Sequence, residues 1–384
     1  MIKSEPTFVH LGRRWMPSTP VPPELAHAAS AGGGNDGEVP QYDASKHLQI
    51  EPPAWVRTLQ FEDISLPYSA EDMEKVKGES GFGFTPPFRL LSEEGTKAMR
   101  HEVERHKEHC MKQNERSMSV RGLGYLSRFV QEWVHCPRVL QAVRDISQLD
   151  LYPHNQVMNH AHTNIGIPGN GRAVDQWHFD SVDCVCIVLV SDGRCMNGGE
   201  LQVLQVPNAT TAIFEELKAT GIPPKLIDSI QLQEPGTCVL VQGSKVMHSV
   251  TPVLEAMEPR HTVIIPFTNC NVFARDPTRL SLYKGGAIDD PVPVANVEYA
   301  RHKAWRIHGQ MQYILEHAHS DTHNAEQLAD LFGRAARELE YTRKLLLEEI
   351  SDNPGYFVNG SDKVSSGGRD RDVLDVLEGE EKKE

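Results

Sequence analysis

Short apolar segments separated by turn residues occupy the middle of this sequence and restrict its fold more than any other feature. They read LYPHNQVMNHAHTNI, SVDCVCIVLVS, GELQVLQV, CVLVQG, HSVTPVL and RHTVIIPF, and they are rich in Val, Ile, Thr and Cys. Gly, Pro and Asn mark the intervals, as in the PGNG sequence at 168–171. Segments of this length and composition, with such turns between them, are typical of antiparallel strands. The pattern therefore predicts an antiparallel barrel or sandwich.

Helical patterns flank this core on both sides. In the region before it, Leu126, Phe129 and Trp133 recur at helical spacing, and Pro137 is placed to begin a further helix. The sequence as a whole predicts a flexible N-terminal arm (1–50), a helical region that packs on the core (51–150), the β core (151–290), C-terminal helices (291–350) and a flexible acidic tail (351–384). Both termini contain too few apolar residues to build a core of their own.

An amphipathic stretch in the C-terminal helical region carries one apolar stripe. Its members are Leu328, Leu331, Phe332, Ala335, Ala336 and Leu339. Such a stripe usually marks the face that a helix packs on the core. The alternatives are a homodimer interface formed by the C-terminal helices and a lid over a site.

The charge balance excludes two classes of partner. Against 39 Lys and Arg residues stand 53 Asp and Glu residues, which gives a formal net charge of −14. A nucleic-acid binder needs a basic face that replaces counterions, and adsorption on anionic lipid needs a basic patch. We therefore expect a small-molecule substrate, with no nucleic acid and no membrane as partners.

The cysteines indicate a reducing compartment. There are seven of them, with no Cys-x-x-Cys spacing, so neither a disulfide scaffold nor a zinc ribbon is expected. The first twenty residues lack the apolar segment of a signal peptide, and the longest apolar run, 184–190, is far shorter than the roughly 20 residues that cross a bilayer. The sequence thus predicts a cytoplasmic protein.

Two histidines and a carboxylate form the pattern with the clearest chemistry. His178 and Asp180 lie two residues apart in QWHFDSVD, and residues i and i+2 of a strand point to the same side. His248 follows a Gly-bounded turn in GSKVMHSVTPV and can supply a second imidazole if its strand returns beside the first. Two His and one carboxylate on one face of an octahedron leave neighbouring positions open, which suits Fe(II). These three residues are therefore the predicted metal ligands.

The stretch from about residue 154 to 267 resembles the double-stranded β-helix core of the Fe(II)/2-oxoglutarate-dependent dioxygenases. It is most similar to their phytanoyl-CoA-hydroxylase-like branch, in which helices precede the core. The matching features are His-Phe-Asp at 178–180, His248 sixty-eight residues after Asp180, Arg260 twelve residues after His248, and Thr262 two residues later. The resemblance implies a mainly β, jelly-roll and cupin-like core with flanking α-helices. It also implies Fe(II), 2-oxoglutarate and O₂ as cofactor and cosubstrates.

The resemblance further implies how 2-oxoglutarate is held. Arg260 corresponds to the family's clamp on the distal carboxylate, and Thr262 adds a hydroxyl. A guanidinium suits this role because its planar fork binds a carboxylate with two hydrogen bonds and stays charged when buried. Asn159 is a third candidate cosubstrate contact, with substrate binding or a hydrogen bond to the backbone as alternatives.

Two further polar residues are candidates for substrate binding or for support of the metal ligands. Gln176 shares the predicted strand face of His178, whereas Trp177 faces away and is expected to pack. Arg172 lies in the Gly-rich sequence PGNGRAVDQ and could bind a substrate carboxylate; the alternative is a solvated loop side chain.

Two other functions stay open. His160 and His162 share a predicted strand face and could form the site of a cupin-type metal enzyme that needs no 2-oxoglutarate. A barrel that keeps the fold without turnover would be a non-catalytic binding protein. The complete set of metal ligands and arginine favours an oxygenase that oxidises an unactivated C–H bond of a small molecule, by hydroxylation, desaturation or cyclisation, and converts 2-oxoglutarate to succinate and CO₂.

Overall fold

The structure is a computed structural model, and it divides the chain into two compact units. It describes residues 21–31, 40–59, 80–114, 117–206, 219, 221–284, 288 and 290–352. One unit is Ser18–Asn269, and the other combines Met1–Pro17 with Cys270–Glu384.

The described elements are mostly short strands, followed by two long helices. The strands are β1 (Arg57–Thr58), β2 (Phe82–Phe84), β3 (Phe88–Arg89), β4 (Met111–Gln113), β5 (Met118–Val120), β6 (Leu151–Pro153), β7 (His162–Gly166), β8 (Ala173–His178), β9 (Cys184–Leu189), β10 (Asn197–Gly198), β11 (Leu201–Leu204), β12 (Ile227–Ile230), β13 (Thr237–Val241), β14 (His248–Glu255) and β15 (Arg260–Asn269). The α-helices are α1 (Ala26–Ala31), α2 (Ala44–His47), α3 (Glu93–Cys110), α4 (Leu123–Leu126), α5 (Arg128–Val134), α6 (Pro137–Ser147), α7 (Val292–His317) and α8 (Ala325–Leu346). Short 3₁₀ helices lie at Pro23–Leu25, Val157–Asn159 and Pro224–Leu226.

Eight of these strands form a jelly roll, which is also called a double-stranded β-helix. In one sheet β7 pairs with β15, β15 with β9, and β9 with β13; in the other β8 pairs with β14, β14 with β11, and β11 with β12. All these pairs are antiparallel. Counted along the chain, the first core strand thus pairs with the eighth, the second with the seventh, the third with the sixth and the fourth with the fifth. The predicted mainly β core with flanking helices is confirmed.

The hydrophobic core of this unit draws side chains from both sheets. It includes Ile187, Leu189, Val239, Val241 and Ile264 from the first sheet and Leu201, Val203 and Val250 from the second. β9 and β15 are buried along their whole length, which explains why CVCIVL and RHTVIIPF contain such long apolar runs. Polar side chains on these strands are therefore enclosed with the apolar ones.

The region before the core contains strands as well as the predicted helices. β2 and β3 pair with β13, and β5 pairs with β7, so both edges of the large sheet are extended. α3 ends at Cys110, and β4 begins at the next residue. Ser127 separates α4 from α5, because its hydroxyl accepts a hydrogen bond from the backbone N of Val130 and begins a new helix. Additional strands of this kind protect sheet edges that would otherwise pair with other chains.

Part of the predicted arm is packed. Asp43 caps α2 through a hydrogen bond from the backbone N of Ser45, and His47 and Leu48 are buried. Residues 1–20 and 32–39 of the arm, and 353–384 of the tail, lie outside the described residues, and the flexibility of both segments stays a prediction.

The second unit is a pair of helices, α7 and α8, with the segment before them. Its apolar core contains Leu280, Tyr283, Tyr299, Tyr341 and Leu345. Charged side chains are buried beside that core: Lys303 Nζ donates to Asp276 Oδ2 at 2.7 Å, and Arg306 Nε donates to Glu338 Oε1 at 2.8 Å. Within the described residues, no helix combines the length and the apolar character required to span a bilayer.

Candidate metal centre

The fold brings the three predicted metal ligands to one place between the sheets. His178 is the last residue of β8, and it lies directly opposite His248, the first residue of β14. Their ring centroids are 4.2 Å apart. Asp180 follows in the loop after β8, with its carboxylate 3.3 Å from Nε2 of His178 and 3.5 Å from Nε2 of His248. The ligand atoms of all three residues lie within 4.8 Å of one another, and no other group of three or more His, Cys, Asp or Glu among the described residues meets this criterion.

Backbone carbonyl groups orient both imidazoles. Nδ1 of His178 is 2.6 Å from the carbonyl oxygen of Gln176, and Nδ1 of His248 is 3.1 Å from that of Val246. A carbonyl oxygen only accepts hydrogen bonds, so each Nδ1 carries the hydrogen and each Nε2 presents its lone pair towards Asp180. Burial, and then the neighbouring His178, lower the pKa of His248 to about 4. This ring is therefore neutral at neutral pH, which is the form that binds metals.

Gly243 contacts Asp180 closely. The backbone N of Asp180 donates to the carbonyl oxygen of Gly243 at 2.9 Å. A Cβ atom at position 243 would overlap the carboxylate of Asp180. Only glycine therefore fits here without displacing the carboxylate.

Arg260 and Thr262 lie two residues apart on β15, and their side chains share one face of the strand as predicted. Nη1 of Arg260 donates to Oγ1 of Thr262 at 2.9 Å, and Arg260 is only 1% exposed. Nε and Nη2 of Arg260 have no hydrogen-bond partner among the described residues. Burial lowers the pKa of Arg260 to about 10, partly offset by the charge of Asp175, so the group remains a cation at neutral pH. A buried cation with two unused donors is costly unless an anion completes its coordination.

Gly199 makes room for this guanidinium. Its φ is +69°, and a Cβ atom at that position would lie 2.9 Å from Cδ of Arg260. The loop between the second-sheet strands β10 and β11 thus approaches the arginine of the first sheet across the barrel.

Asp175 and Asn164 belong to the same polar group, although the sequence pattern did not identify them. Nδ2 of Asn164 donates to Oδ2 of Asp175 at 3.1 Å, and Oδ1 of Asp175 is 3.7 Å from Nδ1 of His178. Asn164 is the β7 residue directly opposite Thr262, so it lies on the same sheet face. The negative charge of Asp175 therefore acts on both Arg260 and His248, and Asn164 holds that carboxylate in place.

A β-bulge in β8 explains why the sequence pattern did not identify Asp175. It also explains why the side chain of Gln176 does not lie on the predicted face. His248 and Val250 are two residues apart on β14, but their partners His178 and Asp175 are three apart on β8. The extra residue reverses the alternation, so Asp175 rather than Gln176 shares the side of His178. Gln176 is exposed, and it supports His178 through its carbonyl oxygen.

The two remaining candidates are Asn159 and Arg172. Asn159 is in the 3₁₀ helix at Val157–Asn159, where its Oδ1 accepts from Nη2 of Arg121 at 2.6 Å. Arg172 is exposed, with Nη2 3.4 Å from the carbonyl oxygen of Asn114, and it lines a pocket between the end of β7 and the beginning of β8. Their contacts with cosubstrate and substrate stay predictions.

The alternative pair His160 and His162 does not present a shared face. Ala161 between them has φ of +56°, which interrupts the extended backbone on which that prediction depended. Nε2 of His160 is 2.6 Å from the carbonyl oxygen of His154, and burial lowers the pKa of His160 to about 3. These are the contacts of a structural histidine.

Comparisons with known proteins give similarity to solved structures only. No protein-family model matches the sequence, and no curated protein matches it significantly. The matching structures include AviO1 from Streptomyces viridochromogenes (13% identity, TM-score 0.37, covering 54% of this chain and 97% of that one) and EctD from S. alaskensis with 2-oxoglutarate and 5-hydroxyectoine (16%, 0.37, 59% and 84%). Another is SnoK, a non-haem α-ketoglutarate-dependent carbocyclase from nogalamycin biosynthesis (12%, 0.38, 53% and 85%). The ligands and reactions in these names belong to those proteins, and the chemistry of this chain must be inferred from its own side chains.

Proposed function

We propose that this protein is an Fe(II)/2-oxoglutarate-dependent oxygenase that acts on a small molecule. One observation carries the proposal: the barrel that contains the His178, Asp180 and His248 ligand set also encloses the Arg260 cation with two unused donors. A metal site alone is compatible with many reactions. The buried guanidinium adds a requirement for an anion, and a keto-diacid satisfies both the metal and the arginine.

The donor set fits ferrous iron. Two neutral imidazoles and one carboxylate leave a divalent ion with net positive charge and with adjacent open positions, which suits an anionic chelating cosubstrate. When bound, Fe(II) supplies the O₂ chemistry: one oxygen atom enters succinate as 2-oxoglutarate loses CO₂, and in hydroxylation the other is inserted into a C–H bond of the substrate.

The side chains of this chain position and enclose the reactants. Arg260 and Thr262 bind the distal carboxylate of 2-oxoglutarate, since the guanidinium already uses Nη1 on the threonine and directs Nε and Nη2 to a ligand. The carbonyl oxygens of Gln176 and Val246 hold the imidazoles in the tautomer that binds metal. The apolar core that both sheets build inside this barrel would keep water away from the bound reactants.

The proposal also covers the class of substrate and the outcome of the reaction. The acidic chain, with a formal net charge of −14, supports a small molecule over a nucleic acid. Hydroxylation is the proposed outcome, and desaturation or cyclisation begins with removal of the same hydrogen atom.

The test is succinate formation. Protein purified without oxygen is supplied with Fe(II) and 2-oxoglutarate, then exposed to O₂ with and without a mixture of small metabolites, and succinate is quantified. We expect iron- and O₂-dependent succinate, stimulated by one component of the mixture, and its loss in His248→Ala and Arg260→Met. Succinate at the same rate in both variants, or none in the wild type when it retains Fe(II), would overturn the proposal.

A further inference from the structure

The outer face of α8 presents an exposed heptad pattern. It consists of Ala325, Ala329, Phe332, Ala336, Leu339 and Arg343, which we call the outer face, and all six residues are exposed. Their spacing alternates between four and three residues, as in the seam of a two-helix coiled coil. Phe332 and Leu339 are each 54% exposed, and their separation of seven residues places both on the same stripe of α8.

A different face of α8 packs within its own unit. Ala335, Glu338, Thr342 and Leu345 are buried, and Glu338 bonds to residues of α7. The apolar stripe predicted from the sequence thus separates into a buried part and an exposed part. The exposed part needs another explanation than the packing of α8 on α7.

We propose that two copies of this chain associate through the outer face, with their α8 helices antiparallel. In a pairing centred on Arg334, Phe332 of one copy lies opposite Ala336 of the other. In the same register Leu339 lies opposite Ala329. Each large side chain therefore faces an alanine, which lets the helices approach closely and fills the space between them.

The outer face is complementary to itself, so a second copy of this chain is the partner that fits it. A two-fold axis brings the same surface of both copies together, so one helix must supply both the large and the small residues. A parallel pairing would instead place Phe332 against Phe332 and Arg343 against Arg343.

Charge favours the same orientation. In the antiparallel register Arg343 lies opposite Ala325 and beside Glu326 of the second copy. Arg343 already donates to Glu340 and Glu349 within its own chain, so Glu326 adds a third carboxylate around one cation. The antiparallel pair thus joins opposite charges at both ends of the seam.

The first experiment measures the oligomeric state of the full chain. Sedimentation velocity from about 1 to 100 µM, a range typical of a small helical interface, should show a monomer–dimer equilibrium. We expect Phe332→Asp to raise the dissociation constant at least tenfold. Leu315→Asp is the matched control, because Leu315 is 85% exposed on α7 but lies outside the outer face, and it should leave the equilibrium unchanged.

The second experiment determines the orientation. Cys195 is the only exposed one of the seven cysteines, so the experiment uses a Cys195→Ser background. Chains carrying Phe332→Cys and Ala336→Cys, with different tags, are mixed and oxidised mildly. The antiparallel pair predicts disulfides mainly between the two different chains. A monomer at every concentration, a dimer that Phe332→Asp does not weaken, or disulfides mainly between identical chains would each overturn the proposal.

Discussion

The backbone of Gly243 lies against the carboxylate of Asp180. The carbonyl oxygen of Gly243 accepts a hydrogen bond of 2.9 Å from the backbone N of Asp180, and any Cβ at position 243 would overlap the carboxylate. The turn before His248 therefore fixes the position of the carboxylate that we propose as the third metal ligand, although Gly243 itself contributes no ligand atom.

Gly243→Ala is expected to displace Asp180 and to weaken Fe(II) binding by about 10- to 100-fold, the usual effect of disturbing the groups that hold a ligand. Anaerobic metal titration measures the effect. Gly81→Ala is the control, since no atom lies within 4 Å of a Cβ at that position. If Gly243→Ala binds Fe(II) as the wild type does, the contact does not determine the ligand position.

Arg260→Met is expected to separate cosubstrate binding from metal binding. Methionine keeps much of the side-chain volume but removes the cation, so 2-oxoglutarate affinity should fall by about 30-fold or more while Fe(II) affinity stays the same. Calorimetric titration of the metal-loaded protein measures the first effect. Arg172→Met is the control, because Arg172 is exposed at the end of the barrel. Equal loss of both affinities would mean that Arg260 holds the barrel together.

Asp175→Asn is expected to change the two affinities in opposite directions. The variant keeps an oxygen that accepts from Asn164 but removes a negative charge that acts on both Arg260 and His248. Metal affinity should fall and 2-oxoglutarate affinity should rise, each by about three- to tenfold, or about 1 kcal/mol.

The control for Asp175→Asn is the same pair of titrations on Asp192→Asn, since Asp192 is a half-exposed carboxylate that pairs with Arg194. A fall in both affinities after Asp175→Asn would indicate distortion of the site, not a change in its charge.

The sequence predicted those parts of the site that depend on regular strands or on motif spacing. Arg260 and Thr262 share a face because β15 is regular, and their hydrogen bond follows from that alternation. The side chain of Gln176 does not share the face of His178 as predicted, because a bulge in β8 depends on the pairing with β14 and leaves no mark in the local pattern.

Asn164 and Gly243 could not be identified for a related reason. Asn164 is placed by its register opposite Thr262, and Gly243 matters because its backbone approaches Asp180 closely. Both partners are distant in the chain, so no local pattern reveals either relationship. The strands at both edges of the large sheet were missed because β2 and β3 are only two or three residues long, too short for a periodic signal.

Acid is expected to destabilise the helical unit of α7 and α8. Burial acts to raise the pKa of Asp276, but His302, Lys303 and Arg306 outweigh it and hold that pKa well below its usual range; Arg306 and Lys303 likewise lower the pKa of buried Glu338. Because both pKa values are lower in the folded state, this stabilisation is present above the unfolded-state pKa of about 4 and disappears as the pH falls through the folded-state values. The opening free energy of α7 and α8, obtained from hydrogen-exchange rates divided by the intrinsic amide rates at each pH, should therefore fall at acid pH.

Glu338→Gln should remove part of the pH dependence of the stability of α7 and α8. At neutral pH it leaves Lys303 and Arg306 without one buried partner, and we expect a loss of about 3–5 kcal/mol in the opening free energy of these helices. Asp330→Asn is the control, since Asp330 forms an exposed pair with Arg334 that should contribute less than about 1 kcal/mol. Unchanged exchange in Glu338→Gln would show that the network does not hold the two helices.

An anaerobic Fe(II) titration decides whether His178, Asp180 and His248 form one metal site. The wild type should bind one Fe(II) per chain, each of the three alanine variants should lose that binding, and Arg260→Met should retain it. Wild-type protein that binds no Fe(II), or alanine variants that bind it as tightly as the wild type, would contradict the assignment of the site.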